Sequence, residues 1–322
     1  MHHPTSKDPA LTPRTAAFIK ELEAQNDPPL YTLTPGEARE VLRSAQSGPA
    51  KKAEADIEDL VLPVGPTGSV PVRIVRPKGA SGTLPFIFYL HGGGWIMGDK
   101  DTHDRLIRKL AVETGAAVVF PIYTPSPEAQ YPVPYQQAWA VLEHMAVEGD
   151  THNLDSSRII LAGDSVGGNM AIVMALLAKE RQGPGIRFAL LFYPVTDARF
   201  DTGSYQDFAD GPWLTREAMQ WFWDAYLPDK ARREDILASP LRAADGDLRG
   251  FPETLVITAE NDVLRDEGEA FARRLNQAGV ETACMRCQGA IHDFVMLDAL
   301  AESAPARAAM RLATAAVKKH LR

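Results

Sequence analysis

Cysteine is nearly absent, with two residues in 322, too few for a disulfide framework. A basic excess is also missing. The chain carries 34 Lys and Arg against 42 Asp and Glu, a net charge of −8, so it repels phosphate backbones and no nucleic-acid partner is expected. No apolar run approaches the ~18 residues of a membrane-spanning helix; the longest lie at 171–178 and 116–122. The first ten residues are polar and include two prolines, so no apolar core of a secretory signal is read there. The expectation is a cytoplasmic protein without a membrane span. What is present, 45% hydrophobic and 24% charged residues, is the ordinary globular balance and argues against long disorder.

The first fifty residues read as two short helices. Residues 14–25 place Ala17, Phe18, Ile19 and Leu22 at helical spacing, and Asn26-Asp27-Pro28-Pro29 ends the pattern. Thr34-Pro35-Gly36-Glu37 then supplies an N-cap, a first-turn proline and a capping-box glutamate for a helix to about residue 46. From residue 55 the pattern changes. Stretches 56–64 and 70–76 alternate apolar with polar residues around a Gly/Pro turn, as an antiparallel edge pair does. Continuous apolar runs follow at 85–90, 116–122, 158–162, 188–193, 254–258 and 282–287, which suit strands buried on both faces of a parallel sheet. Helical stretches at 102–113, 135–147, 167–181, 265–278 and 304–321 alternate with them, giving a doubly wound α/β sheet. Between Thr196 and Phe251 no strand is legible, only a Trp-rich helix at 215–226. An insertion after a strand's carboxyl end sits above the sheet, where α/β ligands bind. The division is therefore N-terminal helices 1–50, core 51–196, inserted segment 197–250 and core 251–322.

Gly163-Asp164-Ser165-Val166-Gly167 matches G-x-S-x-G, and it stands between a strand and a long apolar helix, as that motif requires. The glycines permit a turn too tight for side chains, which lifts the serine hydroxyl over a helix N-terminus. His91-Gly92-Gly93-Gly94-Trp95 follows another buried strand; its glycines can aim several backbone N–H groups at one developing negative charge. His91 itself reads as structural. A serine nucleophile needs a base and an orienting carboxylate, in chain order Ser, Asp/Glu, His. His292 is the one histidine between Ser165 and His320. Asp262 follows the strand at 254–258; Glu260 and Asp266 compete on charge, but Glu260 falls within the strand and Asp266 within the next helix.

These motifs together resemble the hormone-sensitive-lipase-like family of α/β-hydrolase esterases, in its GDSxGG branch. The resemblance rests on His91-Gly92-Gly93-Gly94-Trp95, Gly163-Asp164-Ser165-Val166-Gly167-Gly168-Asn169, Asn261-Asp262-Val263-Leu264-Arg265-Asp266-Glu267-Gly268 and Ile291-His292-Asp293-Phe294, and it covers nearly the whole chain. It implies an α/β-hydrolase fold: a mostly parallel eight-stranded sheet, helices on both faces, and a helical cap made of the N-terminal and inserted segments. It implies Ser165 as nucleophile, His292 as base then acid, Asp262 as its orienting partner, and the N–H groups of Gly93, Gly94 and Val166 as oxyanion donors. Trp95, Trp213 and Phe294 are expected to contact substrate. Val263 stands where the family commonly has proline, and Asp293 where it commonly has glycine. Ile122-Tyr123-Thr124-Pro125-Ser126-Pro127-Glu128 departs from the usual loop after the fourth strand, which bears on substrate preference.

The expected activity is hydrolysis of short-acyl carboxylic esters, a small-molecule substrate, by a monomer or homodimer without metal or cofactor. Two alternatives stay open: another acyl bond (lactone, amide or carbamate), since a triad serves all acyl transfers alike, and a non-catalytic small-ligand receptor on the same scaffold. Cys284-Met285-Arg286-Cys287 on a strand would put its thiols on opposite faces, unlike a redox pair. His2, His3, His103, His144 and His152 share no metal-ligand spacing. The aromatic group Trp213, Trp221, Phe222 and Trp223 reads as cap packing before substrate wall, and Met145, Met170 and Met174 as core.

Overall fold

The computed structural model describes residues 10–322; His2 and His3 lie outside the described residues. Helix α1 (Pro13–Gln25) ends where Asn26 turns left-handed at φ 52°. Helix α2 (Pro35–Ala45) opens on the capping box read from the sequence: Glu37 N–H donates to Thr34 Oγ1 at 3.3 Å and the Glu37 carboxylate accepts from Thr34 N–H at 2.8 Å. Arg39 then ties α2 to the sheet's upper edge. Its guanidinium donates to Glu128 at 2.8 and 2.6 Å, to the Ile96 carbonyl at 2.8 Å and to the Ser126 carbonyl at 3.1 Å.

The core follows as β1 (Ala55–Leu62), β2 (Val70–Pro77), β3 (Leu84–Leu90), α3 (Asp104–Thr114), β4 (Ala117–Pro121), α4 (Val133–Glu148), β5 (Leu154–Asp164), α5 (Val166–Glu180) and β6 (Ile186–Phe192). The inserted segment holds α6 (Gly203–Asp207), α7 (Arg216–Tyr226) and α8 (Asp245–Leu248) and no strand. The chain closes with β7 (Thr254–Asn261), α9 (Arg265–Gln277), β8 (Thr282–Ile291) and α10 (Ala304–His320). The eight strands form one sheet in the order β1-β2-β4-β3-β5-β6-β7-β8. Strand β2 runs antiparallel to both its neighbours, with Ala55 opposite Pro77, and every other pairing is parallel.

Successive residues Phe86 to Leu90 and Ala117 to Phe120 are all buried, so both faces of the central strands are covered. This is why those segments read as continuous apolar runs and not as alternation. Helix α3 packs with α10, and α4 with α5.

The last two strands run farther than their apolar runs predict. Polar groups, invisible to a hydrophobic count, stitch the extension. Gly289, left-handed at φ 68°, donates its N–H to Glu260 at 2.7 Å, and the Asn261 side chain donates to the Ala290 carbonyl at 3.2 Å. Asn261 thereby sits opposite Ile291, which delivers the next residue of each strand, Asp262 and His292, to the same edge.

Candidate active site

Ser165 occupies the turn between β5 and α5 with φ 54° and ψ −122°, a strained conformation for a residue with a side chain. Its flanking glycines have no room to be anything else. A Cβ on Gly163 would lie 2.3 Å from the Gly167 carbonyl oxygen, and one on Gly167 would lie 2.0 Å from that of Leu90. The Ser165 N–H donates to the Phe192 carbonyl at 2.9 Å, which anchors the turn to β6.

His292 bridges the two other polar groups. Its Nε2 lies 3.0 Å from Ser165 Oγ and its Nδ1 lies 2.7 Å from Asp262 Oδ2. The second Asp262 oxygen accepts the Leu264 N–H at 3.0 Å, fixing the carboxylate. All three side chains are buried. Burial disfavours the charged imidazole, yet the carboxylates of Asp262 and then Asp293 outweigh it and push His292 up to about 9. The rival carboxylates are occupied elsewhere: Glu260 on Gly289, and Asp266 accepting the Ser204 N–H at 2.7 Å.

The glycine loop after β3 faces Ser165 across a small cavity. Gly93 and Gly94 have φ of 105° and 64°, and both line the cavity with Ser165 and His292. A Cβ on Gly93 would meet the Met97 carbonyl oxygen at 2.5 Å, and one on Gly94 the Phe222 ring at 2.1 Å. The loop is held from below by Asp164, which accepts the Gly92 N–H at 3.1 Å and the Tyr89 hydroxyl at 2.7 Å and meets His103 Nε2 at 3.2 Å. Burial raises the Asp164 carboxyl, but the His103 charge beside it leaves it below the usual range. His91 is buried and stacked on Tyr123 at 4.2 Å, and burial pushes it down to about 4, so it stands as a neutral structural ring.

The cavity measures about 140 Å³, and its walls come from three parts of the chain: Leu30, Leu33 and Leu42 from the N-terminal segment, Phe222 and Trp213 from the insertion, and the glycine loop. It adjoins a wider groove between α1 and α2, with which it shares Asp27, Val41 and Trp213.

Of the aromatic residues expected at substrate, Trp213 reaches the cavity and two do not. Trp95, left-handed at φ 58°, turns away and stacks on Tyr226 at 4.0 Å, fully buried. Phe294 is also fully buried and packs on Tyr193 at 5.7 Å. Adjacency to a motif does not set side-chain direction. Conversely, Phe222, read as cap packing with its neighbours, is a cavity wall. Asp293 also lines the cavity, a placement that the sequence signals only by its departure from the family's glycine. Its Oδ2 accepts the Trp213 Nε1–H at 2.9 Å. Cys284 and Cys287 are unpaired, one exposed and one buried.

A family model described as alpha/beta hydrolase fold matches residues 87–296. The chain belongs to that α/β-hydrolase family. A solved structure of a thermostable esterase from Pseudomonas putida is 46% identical, with TM-score 0.96, over 98% of this chain and 99% of that one. An esterase of Gibberella moniliformis is 41% identical over 88% of this chain and 90% of its own length. The carboxylesterase NlhH of Mycobacterium tuberculosis is 35% identical over 92% of each. Among the described residues, no helix of this α/β hydrolase is long and apolar enough to cross a membrane.

Proposed function

We propose that this α/β hydrolase cleaves carboxylic esters of short acyl chains through a covalent acyl-serine at Ser165. Ester hydrolase activity accords with the esterase and carboxylesterase relatives that match nearly the whole chain. The observation that carries the mechanism is the unbroken contact from Ser165 Oγ to His292 at 3.0 Å and from His292 to Asp262 at 2.7 Å, at the floor of a cavity.

Each step follows from a named group. His292 Nε2 takes the hydroxyl proton as Ser165 Oγ attacks the carbonyl carbon, and Asp262 stabilises the imidazolium that forms. The carbonyl oxygen, now negative, lies towards the N–H groups of Gly93, Gly94 and Val166. Losing one such donor typically costs ~10²–10³ in rate. His292 then returns the proton to the leaving alkoxide oxygen, the alcohol departs, and water repeats the sequence in reverse roles to release the acid. The N-terminal helices and the insertion act together as a cap over this chemistry. Leu33, Leu42 and Phe222 narrow the cavity beside Ser165 to about 140 Å³, room for a few methylenes, which supports the short-acyl preference.

The test is turnover of p-nitrophenyl butyrate. Ser165→Ala or His292→Ala lowers kcat by ~10⁴–10⁶, and the double variant loses little more, because the groups act as a unit. Turnover by Ser165→Ala within tenfold of the parent would exclude the mechanism.

A further inference from the structure

Asp293 lines the cavity beside His292, and the reaction steps above leave its side chain without a task. Its carboxylate is buried, with 9% of the residue exposed. Oδ2 is occupied by Trp213 at 2.9 Å, but Oδ1 has no hydrogen-bond partner and stands 3.4 Å from His292 Nε2. A buried carboxylate oxygen without a donor, on a residue in the wall of a mostly apolar cavity, is costly, and a ligand donor placed there removes that cost. The position of Oδ1 says which end of a substrate meets it. Because His292 Nε2 must hand its proton to the leaving oxygen, an atom 3.4 Å from Nε2 lies beside the alcohol portion of the ester.

The charge of the surroundings narrows the chemistry further. Among the described residues, no Lys or Arg lines the cavity or the adjoining groove; Asp27 lines both, and the groove adds Glu21, Glu37 and Glu40. An anionic alcohol portion is therefore repelled along the whole path. A cationic one would sit against His292 while that ring carries its proton, and like charges oppose there. A neutral hydroxyl meets neither objection.

We propose that Asp293 is a specificity-determining residue that selects esters whose alcohol portion bears a hydroxyl near the ester oxygen, as in monoesters of vicinal diols. The hydroxyl donates to Asp293 Oδ1 while His292 protonates the departing oxygen. Water is consumed, and the free diol and the carboxylic acid leave. This rests on the ester-hydrolase reading above and adds the substrate class to it.

The experiment compares kcat/KM for 2-hydroxyethyl butyrate and n-propyl butyrate, which differ by a hydroxyl in place of a methyl. The expected ratio for the parent enzyme is about tenfold or more in favour of the hydroxylated ester. Asp293→Gly, which suits the left-handed φ of 62°, is expected to bring the ratio within about twofold of unity while propyl butyrate is still hydrolysed. Asp293→Asn, which keeps the shape and a carbonyl for Trp213, is expected to fall between and guards against a folding artefact in the glycine variant. A parent ratio near unity, or a preference that survives in Asp293→Gly, overturns the proposal while leaving ester hydrolysis standing. Failure of the parent to hydrolyse either ester or p-nitrophenyl butyrate overturns the underlying reading instead, and this one with it.

Discussion

The backbone N–H of Gly92 donates to the Asp164 carboxylate at 3.1 Å, so the glycine loop is bonded to the residue that precedes Ser165. Tyr89 and His103 hold the same carboxylate at 2.7 and 3.2 Å, at the buried carboxyl ends of β3 and β5. One side chain therefore sets the spacing between the serine hydroxyl and the N–H groups opposite it. Neither motif alone contains that information; the two are complementary halves of one support.

Asp164 is on this account a positioning residue. Asp164→Asn keeps the size but weakens the bonds to Gly92 and His103, and a displacement of the loop of about 1 Å is enough to cost ~10² in rate. The expected outcome on p-nitrophenyl butyrate is a fall in kcat of about 10- to 100-fold, with KM changed less than about threefold. Unchanged kcat in a folded variant would show that the loop holds its place without this carboxylate.

The base must be neutral to accept the serine proton, and His292 is raised from its ordinary 6.5 because Asp262 and Asp293 favour its charged form over the opposing effect of burial. Groups near the ring are these two carboxylates, Ser165, the Tyr193 ring at 4.8 Å and, farther off, Asp164. Activity is thus lost as pH falls through a value above the ordinary one. The profile of kcat/KM against pH is expected to show its acid limb well above 6.5, and Asp293→Gly, which removes one favouring charge, moves that limb downward. A limb at or below 6.5 in the parent, or an upward move in the variant, contradicts this.

Phe222 closes the cavity beside Gly94 and is itself buried, at 3% exposure. Phe222→Ala lengthens the space for the acyl chain at a stability cost of about 3–5 kcal/mol. The ratio of octanoate to butyrate hydrolysis on p-nitrophenyl esters is expected to rise about tenfold or more. An unchanged ratio would mean that another wall, such as Leu33 or Leu42, sets acyl length.

Much of this is legible in the sequence alone. Buried strands announce themselves as apolar runs, so the sheet and its order of strands and helices followed from the pattern. Asp262 stood out over Glu260 and Asp266 because position relative to a strand end decides which carboxylate can reach across. What was not legible depends on direction more than on identity. Trp95 and Phe294 adjoin motifs yet point into packed interior, because a left-handed backbone at Trp95 rotates its ring under α7. Leu30, Leu33 and Leu42 reach the cavity because the N-terminal segment folds back over the sheet, where Arg39 among others ties it through contacts 57 to 89 residues apart in sequence. No periodicity within a helix reports such a contact.

The central claim is that the Ser165 hydroxyl is the activated nucleophile, and covalent labelling tests it without any choice of substrate. After reaction with a fluorophosphonate, intact-mass and peptide mass spectrometry should show one adduct per chain on Ser165, absent in Ser165→Ala and formed far more slowly in His292→Ala. No adduct on the parent, or an adduct on another residue that persists in Ser165→Ala, would contradict it.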